Sequence, residues 1–79
     1  MTAVQEQAFI DITGELCPMT FVKVKLKMES LSPGSTLEIL LNGGEPLENV
    51  PRSLRDEGCQ VGEPVAKGAF FTITATKLD

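Results

Sequence analysis

The sequence predicts an α+β domain, a two-layer α/β sandwich built in the order β-α-β-α-β-β. Two observations lead there. Stretches in which side chains alternate across a strand, at 7–12, 35–41 and 69–77, are separated by stretches whose apolar residues recur at helical spacing. Proline and glycine stand at the junctions, as Pro18, Ser32-Pro33-Gly34, Asn42-Gly43-Gly44 and Gly58.

The first strand, about 7–12, puts Ala8, Ile10 and Ile12 on one face and Phe9 and Asp11 on the other. Thr13-Gly14-Glu15-Leu16 is the turn that follows. Residues 18–31 fit two periods. Val22 to Met28 alternates like a strand, yet Phe21, Val24, Met28 and Leu31 fall at i, i+3, i+7 and i+10. The segment is long for a strand, Pro18 starts it and Ser32-Pro33-Gly34 stops it, so it reads as a helix. Ser35 to Leu41 is a strand with Leu37, Ile39 and Leu41 on one face and Leu40 on the other, and so belongs in the sheet's interior. Leu47, Val50 and Leu54 repeat at i, i+3 and i+7 after Glu45-Pro46. Pro51 then predicts either a kinked helix or a turn followed by a helix over 51–57, with Gly58 after its end. Cys59-Gln60-Val61 opens a third strand, broken around Gly62-Glu63-Pro64 and lying at an edge. Lys67-Gly68 is the hairpin turn into the last strand, which sets Phe71, Ile73 and Ala75 against Phe70, Thr72, Thr74 and Thr76. A right-handed first crossover makes the first two strands parallel and puts both helices on one sheet face.

With 79 residues the chain is one domain, 1–79, with 1–6 expected as a frayed terminus. No basic stretch followed by an apolar core opens it and no apolar run spans a membrane, so the cytoplasm is expected and no membrane partner. A net charge of −4, with four Phe and neither Trp nor Tyr, argues against direct nucleic-acid binding. There is no histidine, which removes Cys–His catalysis. With two distant cysteines and no histidine, no metal site is expected. Such a chain is poorly equipped for acid–base turnover and better suited to carrying a group on a thiol.

That thiol is Cys17. Proline is favoured at the first helical position, so Cys17-Pro18 puts a cysteine at the N-cap. Free backbone N–H groups and the positive end of the helix dipole favour thiolate, the nucleophilic form. The same pattern also suits a small buried residue in a strand-to-helix turn. If the first crossover is helical, both helices start at one sheet edge, where sites form in open α/β sheets. That places the Asn42, Gly43 and Gly44 loop beside Cys17.

Asp11-x-x-Gly14-x-x-Cys17-Pro18, then Ser32-Pro33-Gly34, a strand, Glu45-Pro46 and Val50-Pro51, resembles the TusA (SirA-like) family of small sulfur-carrier proteins from about residue 8 to the end. The resemblance implies a mixed four-stranded sheet with two helices on one face. It implies that Cys17 accepts a sulfane sulfur as a covalent persulfide, with no other cofactor. The partners it implies are a sulfur-donor protein (a cysteine desulfurase or rhodanese) and a sulfur-acceptor protein. Relays of this family serve thiolated tRNA, molybdenum cofactor or sulfur oxidation. The family motif is often Cys-Pro-x-Pro, and Thr20 stands here in place of the second proline. Glu15 would oppose ionisation of the thiol if its carboxylate points toward the sulfur, a direction that the sequence leaves open.

Around Cys17, Asp11 is expected to accept hydrogen bonds from turn N–H groups near Gly14. Gly14 serves the turn and Pro18 starts the helix. Lys23 and Lys27, at i and i+4, and Arg52 and Arg55 read either as solvated surface or as docking residues for an acidic partner. Cys59 reads as a small buried residue rather than a resolving thiol. A carrier must expose its thiol, so a monomer is expected. Two other readings stand beside the carrier: a non-catalytic interaction or regulatory domain in which Cys17 is structural, and a thiol switch using both cysteines.

Overall fold

A computed structural model of the protein describes residues 7–15 and 19–78. The expected frayed stretch 1–6 and the Cys17-Pro18 helix start lie outside them. The elements are β1 (Gln7–Asp11), α1 (Met19–Glu29), β2 (Thr36–Leu41), α2 (Glu45–Asp56), β3 (Gln60–Val61), β4 (Val65–Lys67) and β5 (Phe70–Thr76). β1 pairs parallel with β2, and β2 pairs antiparallel with β5. β3 and β4 both pair antiparallel with β5 along its other edge. The sheet is therefore mixed, with β2 and β5 inside. It has five strands in four lateral positions, where the sequence led us to expect four. The third strand is in two pieces because Pro64 has no N–H to give the ladder. Gly62 prolongs the first piece by donating its N–H to the Thr74 carbonyl at 2.9 Å.

Alternation decides which sheet face is covered. Ile12, Leu37, Ile39, Leu41, Ile73 and Ala75 are buried on one face. Val24 and Met28 of α1 and Val50 and Leu54 of α2 close over them in a single cluster. Both helices thus lie on one face, giving the two layers expected from the pattern.

The helix ends follow their sequence signals. α1 gives way to a turn closed by Leu31 N–H on the Met28 carbonyl, 3.1 Å. Lys77 Nζ donates to the Leu31 and Glu29 carbonyls at 2.7 and 3.4 Å, so a residue beyond the last strand satisfies groups that the helix end leaves open. α2 is one continuous helix across Pro51, which settles the choice that the sequence left open. Pro46 sits in the first turn, where a missing N–H costs nothing. Pro51 forgoes one helical bond but is buried in the same layer as Val50 and Leu54. The end of α2 is a Schellman motif: Cys59 N–H meets the Leu54 carbonyl and Gly58 N–H the Arg55 carbonyl, each at 3.0 Å, with Gly58 at φ 92°.

Candidate functional site

The end of the sheet where β1 and β2 finish is built from two loops. At the end of β1 the Asp11 carboxylate turns back on its own chain. Its Oδ1 accepts the Thr13 hydroxyl at 2.7 Å and the Thr13 N–H at 2.9 Å. This is an Asx turn, a local alternative to continuing the strand. The Thr13 hydroxyl, and then its N–H, favour the charged form and hold the Asp11 carboxyl below its usual range. Glu15 N–H closes the next turn on the Ile12 carbonyl at 3.1 Å, with Gly14 exposed between them.

The second loop follows β2. Asn42 Nδ2 donates to the Thr13 carbonyl at 2.6 Å, tying the two loops together across 29 residues of sequence. Gly43 lies close to Phe71: a Cβ there would be 3.0 Å from Cε1 of its ring, so the ring would have to give way. Gly44 caps α2 with φ 85° and ψ −136°, a backbone shape that other residues rarely adopt. It offers no side-chain cap. The first turn of α2 carries Glu45 and Glu48, whose charges offset the positive helix end themselves. An added anion there would meet that acidic turn.

Asp11, Gly14, Asn42, Gly43 and Gly44 are therefore gathered at one sheet end. Cys17 and Pro18 lie outside the described residues, as does the expected contact between Cys17 and the 42–44 loop. Glu15, whose direction the sequence left open, gives its carboxylate to Lys23 Nζ at 2.8 Å. Lys23 thus braces the turn before α1 as well as standing on its surface. Lys27 lies one turn further along the same helix. Arg52 and Arg55 are exposed on α2, with Arg52 Nη2 donating to Asn49 Oδ1 at 2.6 Å. The four expected docking residues are thus divided between two helices. Thr13 was missed as a site residue, although Asp-x-Thr before a turn is a recognisable Asx signal.

Cys59 is elsewhere. Gln60 and Gln7 stand at the Thr36–Thr76 end of the sheet, whereas Asp11 stands at the Leu40 end. The thiol is half-buried and free, beside a groove of about 180 Å³ lined by Met28, Leu54, Gly58 and Lys77, among others. Burial, then the Glu57 carboxylate, push its pKa up, with Lys77 opposing. A raised pKa lowers the share of thiolate, the nucleophilic form. Among the described residues no cluster of three or more His, Cys, Asp or Glu could hold a metal ion. No described helix is long and apolar enough to cross a membrane.

A mixed sheet with both helices on one face, and two loops joined where the parallel strands end, defines an α+β fold of the SirA-like kind. A crystal structure of a SirA-like protein from Desulfitobacterium hafniense superposes with a TM-score of 0.77 over 91% of this chain and 99% of that one, at 20% identity. The family profile described as Sulfurtransferase TusA matches residues 8–77, and the chain belongs to that family. A candidate sulfur carrier protein of Archaeoglobus fulgidus is 36% identical over 58 residues, 73% of this chain and 66% of that protein. One from Methanocaldococcus jannaschii is 35% identical over 52 residues, 66% of this chain and 69% of that protein. One from Thermotoga maritima is 29% identical over 63 residues, 80% of each.

Proposed function

We propose that this chain is a small sulfur carrier that accepts a sulfane sulfur on Cys17 as a persulfide and hands it to an acceptor protein. The observation that carries this reading is the family match across residues 8–77, which contains Cys17-Pro18. In the loading step the Cys17 thiolate attacks the outer sulfur of the donor's persulfide. That S–S bond breaks, a new one forms on Cys17, and the donor leaves as thiolate. No external oxidant or reductant is needed, and the second transfer repeats the exchange with the roles reversed. Rates of such exchange depend on thiolate fraction and access.

The geometry supports the reading in two ways. The loops on either side of the site are fixed by the Asn42–Thr13 hydrogen bond. The carboxylate nearest Cys17 in sequence, Glu15, is occupied by Lys23, which moderates its opposition to a thiolate. In this reading the donor is a cysteine desulfurase or rhodanese, and the carrier works as a monomer in the cytoplasm with no bound cofactor. The raised pKa of Cys59 favours Cys17 over it as the working thiol.

Intact mass after incubation with desulfurase and cysteine, rhodanese and thiosulfate, or polysulfide tests it. The expected result is a reductant-sensitive gain of one sulfur atom, absent in Cys17→Ala and kept in Cys59→Ala. An equal gain in Cys17→Ala would sink the assignment of the carrier role to Cys17, and no gain with any donor would leave the interaction-domain reading in its place.

A further inference from the structure

The two edges of the sheet are protected unequally. One edge is β3 and β4, two and three residues long and separated by Pro64. Short strands and a proline are devices that keep an edge from pairing with other chains. The opposite edge is β1, five continuous residues with neither proline nor lysine. Ile12 N–H donates to the Leu40 carbonyl at 2.9 Å, which carries the β1–β2 ladder one step past the strand. Main-chain groups of successive strand residues point to opposite edges, so Ala8 and Ile10 also face β2. The N–H and C=O groups of Gln7, Phe9 and Asp11 therefore point outward along the free edge.

Both faces of β1 are incompletely covered as well. Leu37 and Ile39 of β2 are fully buried, whereas their register partners Ala8 and Ile10 are only half-buried. On the other face Phe9 is 55% exposed. One more strand beside β1 would cover all three.

Charge near this edge is sorted by face. Lys25 Nζ lies 3.7 Å from the Glu57 carboxylate at the end of α2, so that flank of α1 faces α2. At about 100° per residue Lys23 and Lys27 fall on the other flank, toward β1. The Lys23 ion pair with Glu15, in the loop after β1, agrees with this placement. On the open sheet face Glu38 stands beside Phe9 in the register, and Asp11 shares that face. The edge is thus basic on its helix side and acidic on its open side. A second copy paired there antiparallel would set lysine against lysine. A strand with carboxylates toward the helices and apolar side chains toward Phe9 is complementary.

We infer that the free edge of β1 accepts an extended acidic segment of a partner protein by strand addition. Main-chain hydrogen bonds from Gln7, Phe9 and Asp11 supply the pairing, and alternate side chains supply the selection. Lys27 meets the partner's carboxylates, with Lys23 adding to the field, and Phe9 packs on the opposite side. The inference rests on the sheet edge and is independent of the sulfur chemistry.

The probe is a short labelled peptide of alternating Glu and Val, compared with one of alternating Lys and Val, with binding read by fluorescence polarisation. Wild type is expected to bind the Glu peptide about tenfold more tightly than the Lys peptide, and less tightly as salt rises. Phe9→Pro removes an outward N–H without breaking the ladder to β2, a position that an edge strand tolerates. It is expected to weaken binding about tenfold, and Phe9→Ala, which keeps the N–H, to weaken it less. Circular dichroism checks that Phe9→Pro folds. Lys27→Glu tests the charge without touching the strand, and should also remove the preference for the Glu peptide. Amide exchange gives the signature of main-chain pairing: the N–H groups of Gln7, Phe9 and Asp11 should slow when the Glu peptide binds. Absence of binding to wild type, equal binding of both peptides, or binding that leaves those three amides unprotected overturns the inference. Self-association of wild type that Phe9→Pro abolishes also overturns it, and assigns the edge to a second copy.

Discussion

At the scale of single residues, the best-defined group near the site is Asp11. Its folded-state pKa is lowered by the Thr13 hydroxyl and N–H. A carboxylate depressed in this way stabilises the fold above its unfolded pKa, and that contribution disappears as pH falls through the folded value. Wild type should therefore be more stable than Asp11→Ala at neutral pH, with the gap closing on acidification below the ordinary carboxylate range. Urea titrations across pH measure this, and a gap independent of pH would show that the turn does not depend on the charge. Asp11 was legible because an Asx turn is decided within three residues. The nearness of the 42–44 loop to the first turn was legible from topology alone, since parallel strands end together. The atoms that make the tie, Asn42 Nδ2 and the Thr13 carbonyl, were not, because periodicity says nothing about a side chain in a loop. The Glu15–Lys23 pair was missed for a related reason. Glu15 precedes the helix, so the rule that pairs residues three or four apart does not reach it.

At the scale of elements, punctuation was more informative than propensity. Gly58 was expected after the end of α2, and the Schellman bonds are there. An added Cβ at Gly58 meets nothing within 4 Å, so Gly58→Ala isolates the backbone cost of φ 92°. That cost is about 1 kcal/mol, and Gly58→Asn should recover part of it because asparagine tolerates this region. Thermal melts of the two variants decide it; equal melting of Gly58→Ala and wild type would contradict the assigned cap. Pro64 correctly marked the broken edge strand. Pro51 was harder to read, because the rule that proline interrupts a helix concerns its backbone alone. Here its ring is buried with Val50 and Leu54, and packing outweighs the lost bond. The short apolar alternation at Val22–Met28 also had two readings from sequence. The helix wins by burying Val24 and Met28 in the shared core, leaving Val22 and Leu26 outside.

At the scale of the whole molecule, the two layers were legible because one face of each strand and one side of each helix carry the core residues. Ile39, fully buried in an interior strand, belongs to the cluster that the two helices cover. Ile39→Ala should cost about 2–5 kcal/mol. Native domains are stable by only about 5–15 kcal/mol, and one of 79 residues lies toward the low end, so this variant should be largely unfolded well below the wild-type midpoint. Circular dichroism with urea measures the loss; a change below about 1 kcal/mol would mean the core is not packed as described.

The position of β5 has a consequence for how the protein is made. It is last in the chain but lies between β2 and the β3–β4 edge, and Lys77 just beyond it satisfies the open end of α1. Until the ribosome has released these residues, β2 has one unfilled side, β3 and β4 have nothing to pair with, and the first helix lacks its distal anchor. The nascent chain therefore cannot settle piece by piece from its beginning. Assembly waits for the final strand to slot into the middle, a long-range closure that makes folding slower than for a helical chain of equal length. Any shortening that removes Phe70 to Lys77 takes out an interior strand, strips Ile73 and Ala75 from the shared core and leaves β3 and β4 without the strand they pair with.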